Sequence, residues 1–248
     1  MTIRIHPRFV LLLLTAVLVW TLPIALGQDL TLHLTTSSSG GMGRGGGPRN
    51  STSVQYFGAN AMKSVSSEGP ESIIRFDSGK IITIDNKQKT YTEITVDQLN
   101  EMIKKMTADM GMDEQKMAQM RKMMGQSMPD SISVTKVGPG PTIAGCETVN
   151  YVIKGPMEME ISAAPSLKIP ALYYDMMKIS MARNPMFDMS KLYDEMKKID
   201  GMAMKTVTTT RMMNMEMKTT TEVTSVDKGA IPASTFEVPA GYKQVPFK

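Results

Sequence analysis

Methionine is the residue whose number and spacing could do chemistry in this chain: 26 of the 248 residues are Met. A thioether sulfur is a soft ligand that selects Cu(I). The spacings Met213-x-Met215-x-Met217, Met117-x-x-Met120-x-x-Met123 and Met186-x-x-Met189 permit such a site. Met213, Met215 and Met217 are its candidate ligands, and no other metal site is expected. A second chemistry is adaptable apolar contact, because an unbranched thioether side chain refits itself to varied apolar shapes. On that reading Met102, Met106, Met110, Met157, Met159, Met213, Met215 and Met217 line a site for a lipid or another apolar small molecule. A third reading is packing alone, with Met standing in for Leu and Ile. Reversible oxidation to the sulfoxide is a fourth role, poorly served by buried sulfur. The sequence leaves these readings open.

Other reactive groups are scarce. One Cys and two His exclude an intrachain disulfide framework and a Cys/His zinc cluster. Cys146 reads as a small buried hydrophobe rather than a reactive thiol. The carboxylate pairs Glu158/Glu160 and Asp194/Glu195 read as solvated residues of a strand and a helix. Tyr173, Tyr174 and Tyr242 read as core or rim residues. Six glycines between Ser37 and Arg49 suggest a phosphate loop, but its spacing and Gly-Lys-Ser/Thr ending are absent. No enzyme activity and no cofactor are expected. A net charge of +4 without a Lys/Arg cluster argues against nucleic acid as a partner. No protein partner is legible.

The elements that must position these residues begin after a leader. Arg4 and Arg8 precede an apolar run from Phe9 to Leu22, and Ala25-Leu26-Gly27 offers a cleavage site. Residues 1–27 therefore read as a secretory signal peptide. Location is then periplasmic or secreted, and no later segment is apolar enough to span a bilayer. Residues 28–248 form one expected domain, with residues 37–49 a flexible Gly/Ser loop.

Strands are expected at Leu30–Thr36, Asn50–Ser66, Ser72–Phe76, Lys80–Asp85 and Thr90–Ile94, joined by turn-like Asp77-Ser78-Gly79 and Asn86–Lys89. Thr95-Val96-Asp97-Gln98 has the form of a capping box. Leu99, Ile103, Met106, Met110, Met117, Met120 and Met124 then mark one stripe of a long helix that stops near Gly125. Strands return at Ser131–Val137, Cys146–Lys154 and Met157–Ala163. Helices are expected over 170–182 and 190–199, with Gly201 just past the second. Strands at Met202–Thr210, Met213–Val226 and from Phe236 close the chain. The order implies an α+β fold with one large antiparallel sheet.

Three segments together resemble a known family: Tyr91-Thr92-Glu93-Ile94-Thr95, Ile143-Ala144-Gly145-Cys146-Glu147-Thr148-Val149-Asn150-Tyr151, and Phe236-Glu237-Val238-Pro239-Ala240-Gly241-Tyr242. They are similar to an uncharacterised family of exported bacterial proteins grouped with lipoprotein-localisation-factor-like carriers. That resemblance implies a lipoprotein-carrier-like domain over residues 28–248. It implies a curved antiparallel sheet, an incomplete barrel, with helices covering its concave face. It also implies a non-enzymatic protein that holds a lipid or other apolar ligand between sheet and helices. A copper(I)-binding periplasmic protein and an interaction domain with a closed core are the alternatives.

Overall fold

In Leu30–Ser39 the apolar residues Leu30, Leu32 and Leu34 alternate with Thr31 and His33, and all three leucines are buried. This period of two dictates a strand with one covered face. The structure, a computed structural model, describes residues 29–39, 49–109, 116, 132–155, 158–169, 173, 190–212 and 215–247. The expected signal peptide, residues 40–48 of the glycine loop, the helix expected over 170–182 (apart from Tyr173), and nearly all of the long helix beyond Asp109 lie outside the described residues.

Among the described residues twelve strands form one open sheet: β1 (Leu30–Ser39), β2 (Arg49–Phe57), β3 (Ala61–Ser66), β4 (Glu71–Arg75), β5 (Lys80–Asp85), β6 (Thr90–Thr95), β7 (Ser133–Pro139), β8 (Val149–Lys154), β9 (Glu158–Ala164), β10 (Met202–Met212), β11 (Met215–Lys228) and β12 (Lys243–Gln244). Their spatial order is β12-β6-β5-β4-β3-β2-β1-β11-β10-β9-β8-β7. Pairings are antiparallel except β12 on β6, which is parallel. The two meanders meet where β1 pairs with β11 from the far end of the chain, Leu34 opposite Val223.

Two α-helices are described, α1 (Val96–Asp109) and α2 (Ser190–Met196), with a 3-10 helix at Ala233–Phe236. The capping box forms as the sequence predicts. The Thr95 N–H donates to Gln98 Oε1 at 2.9 Å and the Gln98 N–H to Thr95 Oγ1 at 3.2 Å. Several strand expectations change. Ser37–Ser39 and Arg49, expected in the loop, belong to β1 and β2, and Phe236 ends the 3-10 helix instead of opening a strand, the last strand being Lys243–Gln244. Asn50–Ser66 is two strands, because Gly58 turns the chain with its N–H on the Ala61 carbonyl at 2.9 Å. Cys146 does not open a strand. It bridges to Ile143 across Ala144 and Gly145, both at positive φ (+48° and +76°), the pair that a tight hairpin turn demands.

The expected α+β class with helices covering a concave face is overturned. The sheet dominates, and among the described residues the helices lie at its two ends: α1 follows β6, and α2 packs beside β7. The inner faces of the central strands β1, β10 and β11 pack in one core cluster with Ile143, Leu167, Ile169 and Tyr173. The outer face of β3 to β5 buries Ala61, Ile73, Ile82 and Ile84 under Phe236, with Ile231, Val238 and Tyr242 beside it. Leu192 of α2 packs on β8 and β9, Ile143, Leu167, Ile169 and Tyr173 pack on the inner face of the central strands, and the C-terminal segment covers the opposite face of β3 to β5.

Candidate functional site

Directly paired residues of neighbouring antiparallel strands project to the same face, so the register maps the sheet's inner surface row by row. Leu30, Phe57, Met62, Ile74, Ile81 and Ile94 are successive cross-strand partners from β1 to β6. They make one apolar row across six strands, about 24 Å long at the usual strand spacing. Two residues along each of β2 to β6, on the same face, runs a second row: Gln55, Ser64, Ser72, Thr83 and Thr92. An apolar strip thus borders a polar one, rich in hydroxyls, on a single surface.

Aromatic rings close the strip. Tyr173 stands edge-on to Phe57, ring centroids 6.0 Å apart, and to Phe76 at 6.1 Å. Phe76 and Val96 form a buried pair, with Met62, Ile74, Ile81 and Tyr173 packed around them. Burial pushes the Tyr173 phenol above its usual pKa, so it stays neutral.

The methionines singled out by sequence do not gather at one place. Met102 is half-buried on α1, and Met106 on the same helix is 53% exposed. Met159, on β9, packs beside Tyr151, Ile153 and Ile161. Met215 stands in register with Met212 at the start of β11, and Met217, opposite Thr210, is 42% exposed. Met110, Met157 and Met213 lie outside the described residues. From β6, beside α1, to β11 is six strand steps, about 29 Å along the sheet. The methionines buried at the centre are ones the site reading left out. Met202 and Met204 sit in the main core with Leu32 and Val223, and Met62 packs against it. The alternation of Met202 and Met204 with Ala203 and Lys205 already places those two on a core face, whereas Met62 is placed by its cross-strand partners Phe57 and Ile74.

Other candidates have ordinary partners. His33 Nε2 lies 3.4 Å from Asp227 Oδ2 at an exposed position. Cys146 packs half-buried against the main core. Glu158 and Glu160 are exposed on β9. Glu195 accepts the Val134 N–H at 3.2 Å and pairs with Lys198. Those two contacts, Lys198 first, hold its carboxyl below the usual range despite some desolvation. Among the described residues no group of three or more His, Cys, Asp or Glu could hold a metal ion, and no helix is long and apolar enough to cross a membrane. An open depression over β1 and β2 is lined by Thr35, Thr36, Ser37, Asn50, Ser51, Thr52 and Ser67, with no acid or base among them.

Residues 100–242 match the profile of a family described as a domain of unknown function, DUF4412. No curated protein matches the chain. Among solved structures, two crystal forms of PNGF-II are similar at 11% identity, with TM-scores of 0.40 and 0.39. Each alignment covers 89% of this chain but 31% and 32% of the other, so the chain spans about a third of that protein's length. A DUF1329 family protein from Desulfovibrio piger is similar at 7% identity and a TM-score of 0.30, over 85% of this chain and 90% of that one.

Proposed function

The chain belongs to the DUF4412 family, and from that premise we propose that it is an exported, non-enzymatic protein that binds an apolar ligand along the inner face of its sheet. The observation that carries this reading is the apolar row Leu30–Phe57–Met62–Ile74–Ile81–Ile94 beside the polar row Gln55–Ser64–Ser72–Thr83–Thr92. A surface that changes from apolar to hydroxyl-bearing over one pleat suits an elongated amphipathic molecule. Met62 within the row is the adaptable member, able to refit around chains of different shape. The apolar run Phe9–Leu22 followed by a small-residue cleavage site supports export. The motif resemblance to acyl-chain carriers favours the same ligand class.

The test is binding of N-phenyl-1-naphthylamine, whose fluorescence rises in apolar surroundings, to the full chain after removal of the leader. Saturable enhancement that dodecanoate reverses is expected. Met62→Glu should weaken dye binding while the far-ultraviolet dichroism stays that of the wild type. Absence of saturable dye binding by the folded protein would overturn the reading.

A further inference from the structure

Asn100 is 6% exposed, and among the described residues neither its Nδ2 nor its Oδ1 has a hydrogen-bond partner. A buried amide without partners is costly, and native structures seldom keep one without a use. Its place in the fold supplies the use. Asn100 lies four residues after Val96 on α1, so the two share a helix face with Cβ atoms about 6 Å apart. Val96 is buried against Phe76, with Met62, Ile74, Ile81 and Tyr173 around the pair. Ile94, two residues before Val96, ends the apolar row. The unpaired amide therefore stands one helical turn along α1 from Val96, whose own cluster takes in Met62, Ile74 and Ile81 of the apolar row.

We infer that Asn100 receives the headgroup of the ligand that the apolar row holds, and that this headgroup is a neutral carboxamide or carboxylic acid. The inference rests on the apolar-ligand reading above and adds the polar end to it. Its chemistry follows from the two vacant atoms. Nδ2 offers donors and Oδ1 an acceptor. A headgroup that only accepts, such as an ester, leaves Oδ1 buried and unpaired. A carboxamide or a protonated carboxyl carries a donor and an acceptor side by side and satisfies both atoms together. A site built to pair buried polar groups discriminates strongly against analogues that lack the matching group.

The experiment is displacement of N-phenyl-1-naphthylamine from the leaderless full chain by dodecanamide and by methyl dodecanoate, which share a chain length and differ at the headgroup. Dodecanamide should compete about tenfold more tightly than the ester in the wild type. In Asn100→Leu that gap should close while dye affinity is kept. The free Asn100→Leu protein should melt at the same or a higher temperature, since it loses an unpaired polar group and keeps a similar volume. Equal competition by amide and ester in the wild type overturns this inference and leaves the apolar-ligand reading standing. A lowered melting temperature in Asn100→Leu also overturns it, because the amide then has a partner within the folded chain. Failure of the dye to bind the wild type removes the apolar-ligand reading itself. The wild-type comparison needs no variant, so a misfolded Asn100→Leu does not spare the inference.

Discussion

The Glu195 carboxylate of α2 accepts the backbone N–H of Val134 in β7, at 3.2 Å. Among the described residues β7 is the last strand of the sheet and pairs on one side only, with β8. A free edge is a template for pairing with another chain. Glu195 occupies one of its outward donors, and the irregular pairing around Val137 with Pro139 beyond it blunts the rest. In Glu195→Ala the Val134 amide should exchange with solvent faster, and the protein should self-associate more as concentration rises. Hydrogen exchange and light scattering check both. Unchanged exchange at Val134 would mean that the carboxylate does not guard the edge.

The C-terminal cover depends on a close fit at Gly58. A Cβ added there would lie 3.0 Å from the Phe236 ring atoms Cε2 and Cζ, and Phe236 itself is buried over Ile73 and Ile84. Phe236→Ala should cost about 3–5 kcal/mol by loss of burial and the cavity left behind. Gly58→Ala should cost about 1–3 kcal/mol, as overpacking does. In the double mutant the second penalty should largely vanish, which urea denaturation of all four forms would reveal. Additive losses would show that the ring yields freely.

Local rules were legible in the sequence, and cover was not. Thr95 and Gln98 announce a helix start because the reciprocal bonds need only four residues. Lys80–Asp85 is a strand with its predicted bounds because Gly79 and Asn86 bracket it. The break at Gly58 is closed locally, by its N–H on the Ala61 carbonyl, while the Phe236 ring that crowds it comes from far along the chain. The stripe of α1 shows which side is apolar but not that α1 lies at the sheet's end. Val238 was expected in a strand from Phe236 and Ile231 in no element, and neither expectation marked them as cover for the outer face. Asn100 was not singled out in the sequence, and its burial is supplied by the fold alone.

The capping box gives a small effect of definite sign. Thr95→Ala removes the acceptor of the Gln98 N–H and should cost about 1 kcal/mol. Thr95→Ser should restore most of that, as judged by urea midpoints. A neutral Thr95→Ala would mean that the box adds nothing to the stability of α1.

Gly201 tolerates no side chain. Its φ is +96°, and a Cβ there would lie 2.0 Å from the Ala164 carbonyl oxygen, a backbone atom that cannot swing aside. The neighbouring Met202 N–H donates to the Leu167 carbonyl at 2.9 Å, which fixes the entry to β10. Gly201→Ala should cost about 3 kcal/mol or more, visible as a lowered melting temperature. A thermally unchanged variant would refute the close approach.

Acid should loosen the C-terminal cover through Glu71. Its carboxylate pairs with Lys63 Nζ at 2.8 Å and accepts from Asn86 Nδ2, while Asn86 Oδ1 accepts the Tyr242 hydroxyl at 2.8 Å. Burial pushes the Glu71 carboxyl up, but the hydrogen bonds from Lys63 and Asn86 outweigh it and hold the group below its usual pKa. The folded value therefore lies under the unfolded one, about 4.3. Stability from this group is complete above that value and is lost as pH falls through the folded value. Glu71→Gln keeps an acceptor and cannot titrate. Its deficit against the wild type should be largest near neutral pH and shrink between about pH 5 and pH 3. Urea midpoints across that range measure it. A deficit that stays constant down to acid pH would show that Glu71 does not couple protonation to the Tyr242 anchor.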